Sequence, residues 1–223
     1  MVMRKFLVML VLCVLLDVGS TAPPKKYIAL TFDDGPTGKY TERLLDILDE
    51  KDVRATFFLC GYRIRQYPQL VSRIARQGSE IGLHGDHHEY FSELPAQTLQ
   101  NDLTQESLQI AEISGKAAHL VRPPGGLLPE NREALRDYAV ILWSVDPKDW
   151  ATDDKDLIVQ RVIQNVTPGD IILMHDASTS SVEAAAEIID FLRAQGYTFL
   201  TVSELAAANG TALQSGEVYH SFG

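Results

Sequence analysis

The sequence predicts an α/β fold of about seven strand–helix units, and three observations lead there. Short apolar runs alternate with longer amphipathic stretches along nearly the whole chain. The connections between the apolar runs are long enough to hold a helix, as parallel strands require. The polar residues that could carry chemistry cluster just after the apolar runs, where a parallel sheet gathers its functional groups.

The elements follow in order. Residues 27–31 (Tyr-Ile-Ala-Leu-Thr) read as a strand, and residues 40–50 place Leu44, Leu45, Ile47 and Leu48 on one helical face. Residues 55–59 form a second strand. Leu70, Val71, Ile74 and Ala75 mark a helix stopped by Gly78. Residues 80–83 are a short strand, and Leu99, Leu103 and Ile110 form the stripe of a helix ended by Gly115. Strand 119–121, helix 130–137, strand 140–145 and helix 157–166 come next. Strand 171–174, helix 182–194 before Gly196, strand 198–201 and a short helix 203–208 complete the series. The polar tail at 209–223 is expected to be loose. Such units, joined by right-handed crossovers, fit a barrel or a doubly wound sheet. No Gly-rich phosphate loop follows the first strand, which argues against a dinucleotide-binding version.

The N-terminus differs in kind. Arg4 and Lys5 precede an apolar run of about eleven residues (6–16), followed by the small residues Gly19, Ser20, Thr21 and Ala22. Basic, apolar and small, in that order, is the layout of a secretory signal peptide, and the run is short of the roughly twenty residues that span a bilayer. Residues 1–22 are therefore set aside from the fold, and a secreted or cell-envelope protein is expected, anchored in the membrane if the segment stays uncleaved. Outside that segment Cys60 has no cysteine to pair with, and it reads as a small buried hydrophobe. Formal charge is −10, and about −11 (18 basic against 29 acidic residues) once Arg4, Lys5 and Asp17 are removed. With no basic stripe, nucleic acid is excluded as a partner class, and no protein partner or oligomeric state is implied.

Five polar clusters each begin where an apolar run ends: Thr31-Phe-Asp-Asp-Gly-Pro36, His84-Gly-Asp-His-His88, Arg122-Pro-Pro-Gly-Gly126, Asp146-Pro-Lys-Asp-Trp150 and His175-Asp176. Adjacent carboxylates such as Asp33 and Asp34 repel unless a cation or arginine neutralises them. Histidines at i and i+4 can approach one metal ion, although Asp86 and His87 leave the choice within that loop open. Two histidines and one carboxylate leave an open position on a zinc ion for water. A second carboxylate can take a proton, and a separate histidine can give one to a leaving amine.

These clusters, in this order, resemble the motif set of the polysaccharide deacetylases, the NodB-homology carbohydrate esterases, over residues 26–206. The resemblance implies a distorted (β/α) barrel with fewer than eight units, its catalytic domain at 23–208 and its active site at the strand C-terminal ends. It implies Asp33 as general base, and Asp34, His84 and His88 as metal ligands, which selects His88 over His87. Arg122 is implied to orient the base, Asp149 to position the catalytic histidine, and His175 to act as general acid. Trp150 and Leu173 are implied to enclose the acetyl methyl group, and the Gly125 N–H to help hold the oxyanion. The implied cofactor is a divalent metal, Zn2+ before Co2+, Ni2+ or Fe2+, and the implied partner is an acetylated glycan.

Two positions depart from the family's pattern. Gly85 stands where Ser or Thr is usual, which removes a supporting hydroxyl and predicts weaker metal binding. Gly125 stands where an aromatic residue is common, which predicts a missing cleft wall. The leading expectation is N-deacetylation of chitin-like polymer or peptidoglycan. The alternatives are an O-acetyl esterase on xylan-type glycans, a catalytically silent glycan-binding module, and a non-haem iron enzyme built on the same ligand set.

Overall fold

The computed structural model describes residues 25–223, so the expected signal peptide lies outside the described residues. Among the described residues no helix is long and apolar enough to cross a membrane. In chain order the elements are β1 (Lys26–Asp33), α1 (Lys39–Glu50), β2 (Thr56–Leu59), α2 (Gly61–Gln66), α3 (Pro68–Arg76), β3 (Glu80–Leu83) and α4 (Ala96–Ser114). They continue with β4 (Leu120–Val121), β5 (Ala139–Ile141), α5 (Lys155–Ile163), β6 (Ile171–His175), α6 (Thr179–Ala194), β7 (Tyr197–Leu200), α7 (Val202–Ala208) and β8 (Val218–Tyr219).

The strands run in the order β6-β1-β2-β3-β4-β5-β8, with β7 paired to β1, and every ladder is parallel. Beyond β5, Val145 forms an isolated parallel bridge to Ile172, and the Leu173 N–H donates to the Val145 carbonyl. The sheet therefore curls into the distorted barrel, its seam between β5 and β6 closed by that bridge and, through the segment after β8, by an antiparallel bridge between Ser221 and Asp170, rather than by a full strand.

Alternation along the strands sorts two cores. Ile28, Leu30 and Phe32 of β1 point outward under α1 and α6, into the larger apolar cluster with Leu44, Leu48, Ile188 and Leu192. Ala29 points inward with Phe58, Leu120, Ile141 and Ile171, and Val202 and Leu205 of α7 belong to the same inner cluster. The inner column becomes polar at its C-terminal end, where Thr31, Asp33, Arg122 and His175 succeed the apolar residues. Apolar filling below and polar groups above leave a polar mouth at the C-terminal ends of the strands.

Three expectations change. Helix α2, which periodicity did not reveal, starts directly after β2. The helix expected at 130–137 is a single 3-10 turn, Arg132–Leu135, capped by the Asn131 side chain; so short a segment does not sustain an α-helix. The tail expected to be loose returns to the sheet. Val218 and Tyr219 pair with Val140 and Ile141, the Phe222 N–H donates to the Gly169 carbonyl, and the Phe222 ring is buried in the inner cluster. Its apolar residues are too few to show a period, but they cover an edge of β5 that would otherwise stay unpaired.

Candidate active site

All five clusters meet at the barrel mouth. A cavity of about 380 Å³ is lined by Asp33, Asp34, His84, His88, Gly125, Trp150, Leu173 and His175, joined by Tyr90, Trp143 and Asp146. Arg122 lies beneath it and Asp149 behind His175, both buried.

The strand ends explain the division between the two aspartates. Asp33 is the last residue of β1 and keeps the inward alternation of Ala29 and Thr31. Asp34 has left the strand with φ 72°, so its side chain turns to the histidine loop instead. Arg122, fully buried, donates from Nη1 to Thr31 Oγ1 and Asp33 Oδ1, both at 2.7 Å. Its Nε and Nη2 donate to the Ile141 and Leu142 carbonyls, and its Cζ lies 4.1 Å from the Phe58 ring centroid. A guanidinium held at four acceptors has little freedom, so the Asp33 carboxylate is fixed with it.

Asp34 Oδ1 lies 3.2 Å from His84 Nε2 and 3.1 Å from His88 Nε2. His84 Nδ1 is 2.7 Å from the Arg122 carbonyl, a contact only an N–H can make, so its Nε2 lone pair is left facing the site. Asp34 Oδ1 is itself buried without a hydrogen-bond donor. Lone pairs converging on one point without a donor between them suit a cation, and the ligand atoms of these three residues lie within 4.8 Å of one another. His87 turns elsewhere: its Nε2 is 3.0 Å from Asp86 Oδ2 and its ring stacks on Tyr62.

His175 ends β6 and is locked by one buried carboxylate at two points. Its backbone N–H donates to Asp149 Oδ2, and its Nδ1 lies 2.8 Å from Asp149 Oδ1. Burial works against a charged imidazole, but the Asp149 contact outweighs it and raises His175 to about 9. Behind the β1 turn, Asp176 is buried and accepts a hydrogen bond from Thr41 Oγ1; burial pushes its carboxyl up to about 6.

The two glycine departures look different in three dimensions. Gly85 has φ 84°, and a Cβ there would sit 2.8 Å from the Phe91 ring. A side chain is thus sterically excluded, and the loop is held by other means. The His84 N–H donates to the buried Glu106 carboxylate at 3.1 Å, the Gly61 and Tyr62 N–H groups donate to the Gly85 and Asp86 carbonyls, and Arg65 grips Asp86 with both terminal nitrogens. At Gly125, with φ 62°, the Tyr90 ring stands 3.2 Å from where a Cβ would be. An aromatic wall is therefore present, from a different segment. Trp150, expected to enclose a methyl group, is 66% exposed at the rim, while Leu173 is buried within it.

Sequence reasoning passed over Tyr90, Trp143 and Glu106. Glu106 did leave a signal: it falls on the stripe of Leu99, Leu103 and Ile110, where a charge is out of place. Trp143 shares the inward register of Ala139 and Ile141. His119 lies away from the mouth, beside Glu80 and Ser203.

A curled parallel barrel with an acid–base set and a carboxylate–histidine cluster at its strand ends has the build of a hydrolase. The family model described as "Polysaccharide deacetylase" matches residues 20–140. A peptidoglycan-N-acetylglucosamine deacetylase of Bacillus cereus is 40% identical over 191 residues, 81% of this chain and 88% of that protein. The solved structure of a T48 deacetylase with substrate superposes with a TM-score of 0.83 at 36% identity, covering 87% of this chain and 96% of that one. A family 4 acetyl xylan esterase from Clostridium thermocellum, in complex with a cobalt ion, gives a TM-score of 0.83 at 28% identity over 88% of this chain and 98% of that one. This chain belongs to the polysaccharide deacetylase family. It is a deacetylase of glycans.

Proposed function

We propose that this protein removes N-acetyl groups from an amino-sugar polymer, with peptidoglycan N-acetylglucosamine as first candidate and chitin-like chains as the second, and that it needs a divalent cation held by Asp34, His84 and His88. The observation that carries the reading is the pair of opposed contacts flanking that cluster: Arg122 on Asp33, and Asp149 on His175. They give one carboxylate a fixed cation and one imidazole a fixed carboxylate, the two pairings that a base and an acid at one site call for.

Asp33, held by Arg122 through Oδ1, takes a proton from the attacking water through its second oxygen. Water oxygen bonds to the acetyl carbon, the carbon–nitrogen bond breaks, and acetate separates from the amine. His175, with Nδ1 engaged by Asp149, gives the leaving nitrogen its proton from Nε2. When bound, a divalent cation supplies Lewis acidity, lowering the pKa of water and polarising a carbonyl; Zn2+ suits the donor set best, with Co2+, Ni2+ and Fe2+ as the other fits. Leu173 and Trp150 bound the acetyl side of the cavity, and the Gly125 N–H is the backbone donor for the oxyanion. The likeness to the B. cereus enzyme supports peptidoglycan as substrate, and the basic, apolar and small order of residues 4–22 supports action outside the cell membrane.

The likeness to an acetyl xylan esterase supports a second reading, hydrolysis of O-acetyl groups. Acetate release from peptidoglycan, chitooligosaccharides and acetylxylan separates the two. The N-deacetylase reading expects the amides to be preferred. It also expects His175→Ala to lose at least a hundredfold on amide and far less on ester, because an alkoxide leaves with less need of a proton. Equal loss on both would contradict the assignment of His175 as the acid.

A further inference from the structure

Five large apolar side chains of the described residues are exposed, and three of them, Tyr90, Leu127 and Trp150, are tied to this one mouth. Tyr90 and Trp150 line the cavity, and Leu127 follows the Gly125–Gly126 turn and approaches Gly125. Apolar surface grouped at a functional cleft calls for an occupant. Tyr90 belongs to the metal-ligand side, two residues after His88, whereas Trp150 adjoins Asp149 on the acid side. The Tyr90 ring is 43% exposed and lies along Gly125, whose missing side chain leaves it the space: any Cβ at 125 would press on Cε1 at 3.2 Å. A sugar ring offers faces of C–H groups edged by hydroxyls. An exposed tyrosine offers a flat apolar face with a polar tip, and the two match.

We propose that Tyr90 is a substrate-positioning residue of this enzyme, the ring on which a sugar of the bound chain packs beside the acetylated unit, and that Gly125 is kept bare to leave Tyr90 in that position. The proposal rests on the glycan deacetylase reading above. It makes recognition depend on chain length: a single acetylated sugar occupies the cavity without needing Tyr90, whereas an oligomer extends over it.

The test measures binding of chitotetraose and of N-acetylglucosamine to the chelator-treated protein by calorimetry, for the wild type, Tyr90→Ala and Tyr90→Phe, with Zn2+ affinity titrated separately on each. Tyr90→Ala is expected to weaken tetramer binding about tenfold, with monomer binding and Zn2+ affinity unchanged and Tyr90→Phe within about threefold of the wild type. Unchanged tetramer binding by Tyr90→Ala overturns the proposal, as does an equal loss for monomer and tetramer, or a wild type that does not bind the tetramer. Failure of the deacetylase reading shows separately, as no acetate release from any acetylated glycan by the metal-loaded wild type.

Discussion

At the scale of single residues the site works by fixing protonation through neighbours. His175 shows the sign most clearly. Its folded value of about 9 stands above the usual 6.5, because the Asp149 contact more than offsets burial. The imidazolium is therefore favoured in the folded state: its contribution to stability is complete below about pH 6.5 and is lost as pH rises through 9. Activity that needs the acid form should fall on the alkaline side near pH 9. Asp149→Asn should move that limb to lower pH and cut kcat at least tenfold, which a pH–rate profile with acetate detection checks; an unmoved limb would show that another group is the acid. The gathering of these side chains was legible in the sequence, because Asp33, Asp34, Arg122, Asp149 and His175 each follow an apolar run, and a parallel barrel brings such positions to one end. Tyr90 was not legible, since a lone tyrosine in a polar loop carries no period. Nor was the reason for Gly85, which is the Phe91 ring packed against it rather than anything in its neighbouring residues.

At the scale of elements the strands place the chemistry and short irregular segments complete it. Asp33 ends β1 and His175 ends β6, and these two residues are partners in the β1–β6 register, so the proposed base and acid stand side by side by ladder geometry alone. The partner of His175, Asp149, comes from a 3-10 turn, Asp149–Ala151, that the apolar pattern could not outline. The C-terminal segment was misjudged for a similar reason: two paired residues and one aromatic anchor are too little to read as a strand. They still bear on stability. Phe222→Ala, which opens a space in the inner cluster where its ring stacks on Tyr219, should cost about 3 kcal/mol. Denaturant unfolding checks this, and a loss within about 0.5 kcal/mol would return the tail to the status of a loose end.

At the scale of the whole molecule, the barrel is filled with apolar side chains on one side and polar, titratable ones on the other, because its interior changes character along the strands. Arg122 spans the change: its guanidinium packs on Phe58 below and carries Asp33 above. The central claim is that adjacent aspartates divide the work, Asp34 as ligand and Asp33 as base. The most direct test pairs acetate release with metal content in Asp33→Asn. The amide keeps the size of the carboxylate but cannot accept the water proton, so turnover should fall at least a thousandfold while one equivalent of divalent metal stays bound. Metal lost together with activity, or activity kept, would contradict that division.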